Sequence, residues 1–398
     1  MVRQTVKKLR GGILDLVWAF GGSARPESSD DFPNWQQKNN RTQKAIIREP
    51  FTESVPPIPF AGNSSAIEPA MASLSRDLRA AYPMDFNVST NLSFGQEYVV
   101  TIPNGRLLSS LGIVIGPDNV HLRDLSGGSF RGLSHHPLNF EGNYVPPIKR
   151  LNGTALVLAT GLGQRNYYHW TTEILPRLRL LERIGAQVDF YCIPKRHRYH
   201  YDSLLMMGIP RERLIPLGKY THLQAEFLMI PSVNRQEITS ENAQFLYDKL
   251  AVRSEPQSIS SASQKIYIAR RRRHWRCVLN ESELMSRLKP MGFKRYFLED
   301  MSMQEQVRLF YNASVVVGPH GSGLVNLLYC KSGTRVVEIG TPVRPNGLFR
   351  IIAHHRRLQY VNYFGTAANI RGDESNIKCD VNELVKLISE TERCLKLE

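Results

Sequence analysis

The stretch ASVVVGPHGSGLVNLLYCKSGTRVVEIG, residues 313–340, decides the fold. Its two apolar runs, SVVV and TRVVEI, are continuous rather than alternating, the pattern of strands covered on both faces. LVNLLYC between them reads as a helix, so strand, loop, helix and strand follow in the order of a parallel crossover. The loop holds Gly318, Gly321 and Gly323 around His320. In open parallel sheets, ligands sit beyond the carboxyl ends of the strands, where this loop falls. Glycines let backbone N–H groups approach an anion, and the first turn of a following helix adds a favourable dipole, so the loop is a diphosphate-cradle candidate. A tight turn that needs positive φ at the glycines is the competing reading.

Upstream, KIYIA is a strand and runs directly into RRRRHWR, residues 270–276, which therefore emerges at the same carboxyl edge. Arginine forks bind phosphate bidentately, so Arg270, Arg271, Arg273 and Arg276 are candidates to clamp a diphosphate. The alternatives are a solvated charge run or a nucleic-acid patch. Glu338, at the end of TRVVEI, can accept hydrogen bonds from a ribose; a structural pairing is the other reading. FKRYF reads as a further strand. Asn280 with Glu283, and Ser302 with Glu305, have capping-box spacing. Residues 381–397 read as an amphipathic helix.

The first half repeats the α/β character. ALVLA (155–159) is a continuous apolar strand, followed by the loop GLGQRN and a helix from residue 168 to about 184. That helix carries His169 and Glu173 four apart, hence on one face, with Leu175, Leu178 and Leu181 turned to the core. A histidine and a carboxylate beside Tyr167, Tyr168 and Trp170 suit an acceptor site that needs a base and rings for a sugar to stack on. VDFYCI, YDSLLMMG, LIPL and EFLMI continue the alternation. Short runs between residues 94 and 147 read as small antiparallel strands, a β-rich preamble. Residues 21–75 and 254–264 are Ser-, Pro- and Asn-rich and read as linkers. The expected architecture is α/β: two Rossmann-like domains facing across a cleft, with the β-rich preamble before them. The segments are 1–90, a basic helix and linker; 91–240, the preamble and an acceptor domain; and 241–398, a donor domain.

Composition narrows the partners. The 398-residue chain carries a net charge of +15, which favours polyanionic or phosphate-bearing ligands. Five scattered cysteines without CxxC argue against a zinc site or disulfide framework and fit a reducing compartment. MVRQTVKKLRGGILDLVWAF is too short for a membrane span and a poor signal peptide, so it is expected to be a surface helix or a basic amphipathic helix lying on an anionic membrane. In GLGQRN, Asn166 replaces the third glycine of GxGxxG, which speaks against a nicotinamide dehydrogenase. HGSGL lacks the outer glycines of a nucleophile elbow, so Ser322 is a weak catalytic serine. There is no DxD, and His197 and His200 lie in the basic loop KRHRYHYD and are weak metal candidates, so no metal site is expected.

With these motifs in place, the chain resembles the family-61 glycosyltransferases, with their DUF563-type catalytic region, over roughly residues 90–365. The resemblance rests on NYYHWTTEILPRL, YIARRRRHWRCVLNESEL and the block from MQEQVRLFYN to VVEIG, in this order. It implies a GT-B architecture and inverting transfer from a nucleotide sugar, usually UDP-linked, as co-substrate, with no essential metal. By the resemblance, Arg270 and Arg271 match the donor-site basic position, and His320, Gly321 and Gly323 the nucleotide loop. His169 and Glu173 match the acceptor-side motif, either being the base. Ser322 stands where the family often has alanine. The acceptor is expected to be a glycan or lipid-linked glycan and the setting cytoplasmic, at the inner face of a membrane, in bacterial capsular polysaccharide or lipopolysaccharide synthesis. Nucleic-acid binding is not expected. The rival functions are a silent carbohydrate-binding partner and a basic nucleic-acid binder.

Overall fold

Continuous apolar runs in the C-terminal half form the strands their pattern predicts. The computed structural model describes residues 23–24, 26–29, 31–56, 60–62, 90–126, 144–232, 237–252, 264–271, 275–341, 347–368 and 375–393. The basic helix expected in residues 1–20, Arg273, Cys394 and nearly all of the 254–264 linker lie outside the described residues. The chain divides into two units, Met1–Phe51 with Phe94–Arg235, and Thr52–Ser93 with Gln236–Glu398.

In the second unit, six parallel strands lie in the order Phe293–Tyr296, Gln264–Ile268, Ala313–Pro319, Arg335–Gly340, Gln359–Phe364, Phe60–Gly62. Apart from the last, chain order across the sheet is second, first, third, fourth, fifth, which is the doubly wound pattern. One face, carrying Tyr267, Val315, Val317, Val337 and Val361, packs against Leu284, Leu288, Leu384 and Ile388 of helices Glu281–Leu288 and Val381–Arg393. Ile266, Val316 and Val336, one residue out of step, face the other way and are buried as well. This double burial is why the strands read as unbroken apolar runs.

The Ser302 capping box forms: the Ser302 hydroxyl accepts from Glu305 N at 3.3 Å, and Glu305 accepts from Ser302 N at 2.7 Å. It starts the helix Met303–Tyr311. Asn280 does not cap. Its amide instead bonds both backbone groups of Cys379, at 2.9 and 3.1 Å, because the segment just after strand Ile377–Lys378 offers paired partners that the spacing rule cannot see.

The first unit holds a ten-stranded sheet. Strands Leu214–Leu217, Phe190–Pro194, Lys149–Val157 and His222–Pro231 are mutually parallel. Glu97–Pro103 and Arg106–Leu108 then pair antiparallel with His222–Pro231. The expected preamble is therefore the antiparallel half of the same sheet. Alternation in sequence revealed its strands but not their neighbours.

The described part of residues 21–75, up to Gly62, is not the linker that its composition predicts; residues 63–75 lie outside the described residues. Glu27–Ser29 pairs with Val120–Leu122 and Gln43–Arg48 with Glu97–Pro103. Between them, helix Phe32–Lys38 is capped by Asp31, which accepts from Asn34 N at 3.0 Å. Phe32 and Trp35 sink into the first unit's core, and the indole N–H of Trp35 donates to Asp118 at 2.8 Å. Two buried rings per short helix suffice for docking without any visible period.

No helix among the described residues is long and apolar enough to cross a membrane.

Candidate functional site

Strands Gln264–Ile268 and Ala313–Pro319 are neighbours at the point where the strand order reverses. A crevice opens at the carboxyl ends of such a pair. Ala269–Arg271 leaves the first strand there, and His320–Gly323 leaves the second.

The glycines answer a demand for space, not for turn geometry. None of Gly318, Gly321 and Gly323 lies in the left-handed region, and Gly321 is extended at φ 170°. A Cβ on Gly321 would stand 1.8 Å from Nη1 of Arg270; on Gly318, 2.9 Å from Cβ of Ile268; on Gly323, 2.7 Å from Cδ1 of Leu298. What approaches the loop backbone is thus the Arg270 guanidinium. The segment after the loop, Ser322–Tyr329, is a 3-10 helix and not the expected α-helix. Leu324 to Tyr329 are all buried, so no polar stripe selects a 3.6-residue period.

The two leading arginines differ sharply. Arg271 ion-pairs Glu299 at 3.3 Å and Asp300, and these carboxylates raise its pKa. Arg270 is pulled inward. Its Nη1 donates to the His320 carbonyl at 3.3 Å, its buried Nε has no hydrogen-bond partner, and burial lowers its pKa. No carboxylate pairs with it among the described residues. Glu299 opposes that shift without pairing with the guanidinium, and a half-buried cation short of hydrogen-bond partners is stabilised by an incoming anion. Arg270 and Arg271 also line a pocket of about 380 Å³ with Arg295, Glu281 and Phe297.

His320 sits on a buried polar chain. Its Nδ1 bonds Glu338, whose second oxygen accepts from the Tyr360 hydroxyl. Glu338 is 1% exposed, with both oxygens occupied, so it is not available as the ribose ligand expected from its place in the sequence. The structural pairing wins because the strand register sets Glu338 beside Gly318 on one side and Asn362 on the other, deep in the sheet. Burial lowers the His320 pKa, opposed by Glu338 and reinforced by Arg276 and Arg270. Tyr360 carried no sequence signal; it lies on the next strand, 22 residues from its partner.

In the first unit, the helix with His169 and Glu173 is irregular. Tyr167–His169 is α, Trp170–Ile174 is a π-helix, and Arg177–Arg183 resumes α. Pro176 lacks an N–H and crowds the carbonyl four residues back, which widens the preceding turn; single π turns recur at functional sites. His169 Nδ1 lies 2.6 Å from Glu173 Oε1, with the imidazole 20% exposed and the carboxylate 5%. The outer group is therefore the imidazole, oriented by a buried acid. Leu175, Leu178 and Leu181 are buried, as the spacing predicts.

The stacking rings are a correction. Trp170 is fully buried and donates to Ser203 at 3.0 Å, and Tyr168 is 4% exposed. Both serve the core, Tyr168 from the α turn and Trp170 from the start of the π turn. Tyr167 alone stays half-exposed, edge-on to Tyr199 at 5.1 Å. The buried ion pair of Arg179 with Glu97, and Arg177 donating to the Val157 carbonyl at 2.8 Å, hold this helix to the sheet. The spacing rules passed over both arginines. His200 is buried and donates to the Gly163 carbonyl at 3.1 Å, with its pKa lowered to about 4 by burial. Among the described residues no group of three or more His, Cys, Asp and Glu side chains is arranged to hold a metal ion.

The class to which this α/β crevice belongs is given by comparison with known proteins. Residues 167–337 match the family described as Glycosyltransferase 61, and they span both His169 and His320. That stretch is a family-61 glycosyltransferase region. The chain is 34% identical over 88 residues to a beta-1,2-xylosyltransferase of Oryza sativa subsp. japonica, covering 22% of this chain and 16% of that protein. It is 32% identical over 89 residues to the beta-1,2-xylosyltransferase of Arabidopsis thaliana, with the same coverage. A protein O-linked-mannose beta-1,4-N-acetylglucosaminyltransferase 2 of Canis lupus familiaris is 34% identical over 100 residues, 24% of this chain and 17% of that protein. The similarity thus spans about a sixth of the length of these relatives.

Proposed function

We propose that this protein is an inverting glycosyltransferase that moves a sugar from a nucleotide donor, UDP-linked, to a glycan acceptor. The observation that carries the reading is Arg270, a half-buried cation with an unbonded buried Nε and no paired carboxylate among the described residues, at the switch point of a parallel sheet inside a glycosyltransferase-family region. The GT-B reading assigns the donor to the second unit and the acceptor to the first.

In this scheme the acceptor hydroxyl oxygen bonds to the anomeric carbon as the bond from that carbon to the diphosphate oxygen breaks. The hydroxyl proton passes to His169, held by Glu173, and the nucleoside diphosphate leaves with the bonding pair. Negative charge growing on the diphosphate meets Arg270 and the loop N–H groups, which serve in place of a divalent cation. Arg271, already paired with two acids, acts as a secondary contact, and Ser322 borders the diphosphate. The named relatives make xylose and N-acetylglucosamine the first donors to try. The named relatives are eukaryotic; the net charge of +15 and the basic N-terminal sequence suit work on capsular or lipopolysaccharide glycans at an anionic membrane face, and these are the acceptors to try beside those of the relatives.

Incubation with UDP-xylose, UDP-N-acetylglucosamine and other sugar nucleotides, with and without EDTA, tests the proposal by slow release of UDP. Release that survives EDTA and disappears in Arg270→Ala supports it. A chain that binds DNA with steep salt dependence and releases no nucleotide refutes it.

A further inference from the structure

The donor site contains an element that a phosphate cradle does not require: the buried chain from Tyr360 through Glu338 to His320. Each link is directional. The Tyr360 hydroxyl can only donate to a carboxylate, and it occupies one oxygen of Glu338. The other oxygen faces Nδ1 of His320. An ionised carboxylate accepts and cannot donate, so the proton of a neutral imidazole must sit on Nδ1. Nε2 is then a bare acceptor. No protein group bonds Nε2 among the described residues, and the side chain keeps 14% of its surface open.

The surroundings keep the ring uncharged. The Phe349 ring covers it at 5.0 Å. The charged groups that face it are Glu338, which favours a second proton, and Arg270 and Arg276, which oppose it. Burial adds to the opposition. A phosphate oxygen at neutral pH carries no proton and would meet the Nε2 lone pair with its own. A hydroxyl would donate to it.

We infer that Glu338 and Tyr360 are positioning residues that hold His320 in its Nδ1–H form, so that Nε2 recognises a hydroxyl of the donor, ribose or sugar, while Arg270 takes the diphosphate. The inference rests on the donor site proposed above and divides the labour within it.

The tautomer is read directly by long-range nitrogen–proton correlation on the isotopically labelled full chain at pH 7. The signal is assigned by its loss in His320→Gln, or, if that variant does not fold, by contact with the Phe349 ring. A protonated Nδ1 and bare Nε2, shifting toward mixed tautomers in Glu338→Gln and Tyr360→Phe, is the expected result. An Nε2–H tautomer or an imidazolium at pH 7 overturns the inference.

Binding then names the hydroxyl. If it is on the ribose, 2′- or 3′-deoxy-UDP binds about tenfold more weakly than UDP to the natural protein, and equally to His320→Ala. If it is on the sugar, His320→Ala leaves UDP binding intact and weakens the UDP-sugar about tenfold. A uniform loss that includes inorganic pyrophosphate means that His320 contacts phosphate, and the inference falls. Failure to bind UDP at all refutes the donor site instead, and the tautomer measurement still decides this point.

Discussion

Gly321→Ala separates the binding role of the loop from its packing role. The backbone at Gly321 is extended, so alanine pays no conformational penalty there. Restricting the unfolded chain even favours it by about 0.4–1 kcal/mol. The new methyl, however, begins 1.8 Å from Arg270 Nη1 and must reach about 3.4 Å for ordinary contact, so the guanidinium retreats by about 1.6 Å. A shift of that size breaks hydrogen bonds to a diphosphate. Charge-assisted bonds contribute about 1.5–3 kcal/mol each, so UDP should bind roughly 10- to 150-fold more weakly. The unfolding temperature should stay within about 2 °C of the natural protein. Gly323→Ala is the control: its methyl meets Leu298 Cδ1 at 2.7 Å, a packing contact. Overpacking costs about 1–3 kcal/mol, so this variant should melt several degrees lower yet keep its affinity better when measured cold. Isothermal titration with UDP and thermal unfolding give both quantities. Unchanged UDP affinity in Gly321→Ala would refute the assignment of Arg270 to the diphosphate.

The other predictions concern charge, base, metal and pH. Arg270→Ala should weaken UDP binding at least about 30-fold, whereas Arg271→Ala, which loses exposed ion pairs, should leave the unfolding temperature nearly unchanged and lower affinity less than Arg270→Ala; titration and thermal unfolding of both variants decide. His169→Asn should lower kcat about 100- to 10,000-fold with little change in UDP affinity, and Glu173→Gln should act in the same direction by disorienting the imidazole. Transfer should persist in EDTA, followed as UDP release. Burial holds the folded-state pKa of His200 and His222 near 4, below the unfolded value of about 6.5. Unfolding therefore takes up protons that the native state refuses, so stability is full above pH 6.5 and falls as pH drops toward 4, by on the order of 3 kcal/mol per histidine. Urea midpoints at pH 7, 5.5 and 4.5 should show this slope, and His222→Gln should flatten it.

The parallel strands of the second unit were legible because burial on both faces erases alternation, leaving KIYIA, SVVV and TRVVEI as plain apolar runs. The Ser302 capping box was legible because both of its partners are three residues apart. What lay hidden depends on neighbours distant in the chain. Glu338 looks like a strand-end ligand until the register sets Tyr360 and His320 against it. Trp170 looks like a sugar platform until the fold buries it against Ser203, 33 residues on. The short strands before residue 56 lack a period because each is only two to six residues long. The loop glycines stood out as room for an anion, with positive φ as the competing reading; the arginine that lies against Gly321 comes from a neighbouring strand end and leaves no mark in the local sequence.

Phe60–Gly62 completes the second unit's sheet at Gln359–Phe364, although roughly 140 residues of the first unit intervene before that sheet's other strands begin. Synthesis therefore delivers the outermost ribbon first and its partner last. A fragment starting near residue 237 would leave Gln359–Phe364 as an open, apolar border, a template for self-association. Expression of the C-terminal half alone should give aggregates, and supplying residues 52–93 in trans or by fusion should restore a dispersed product.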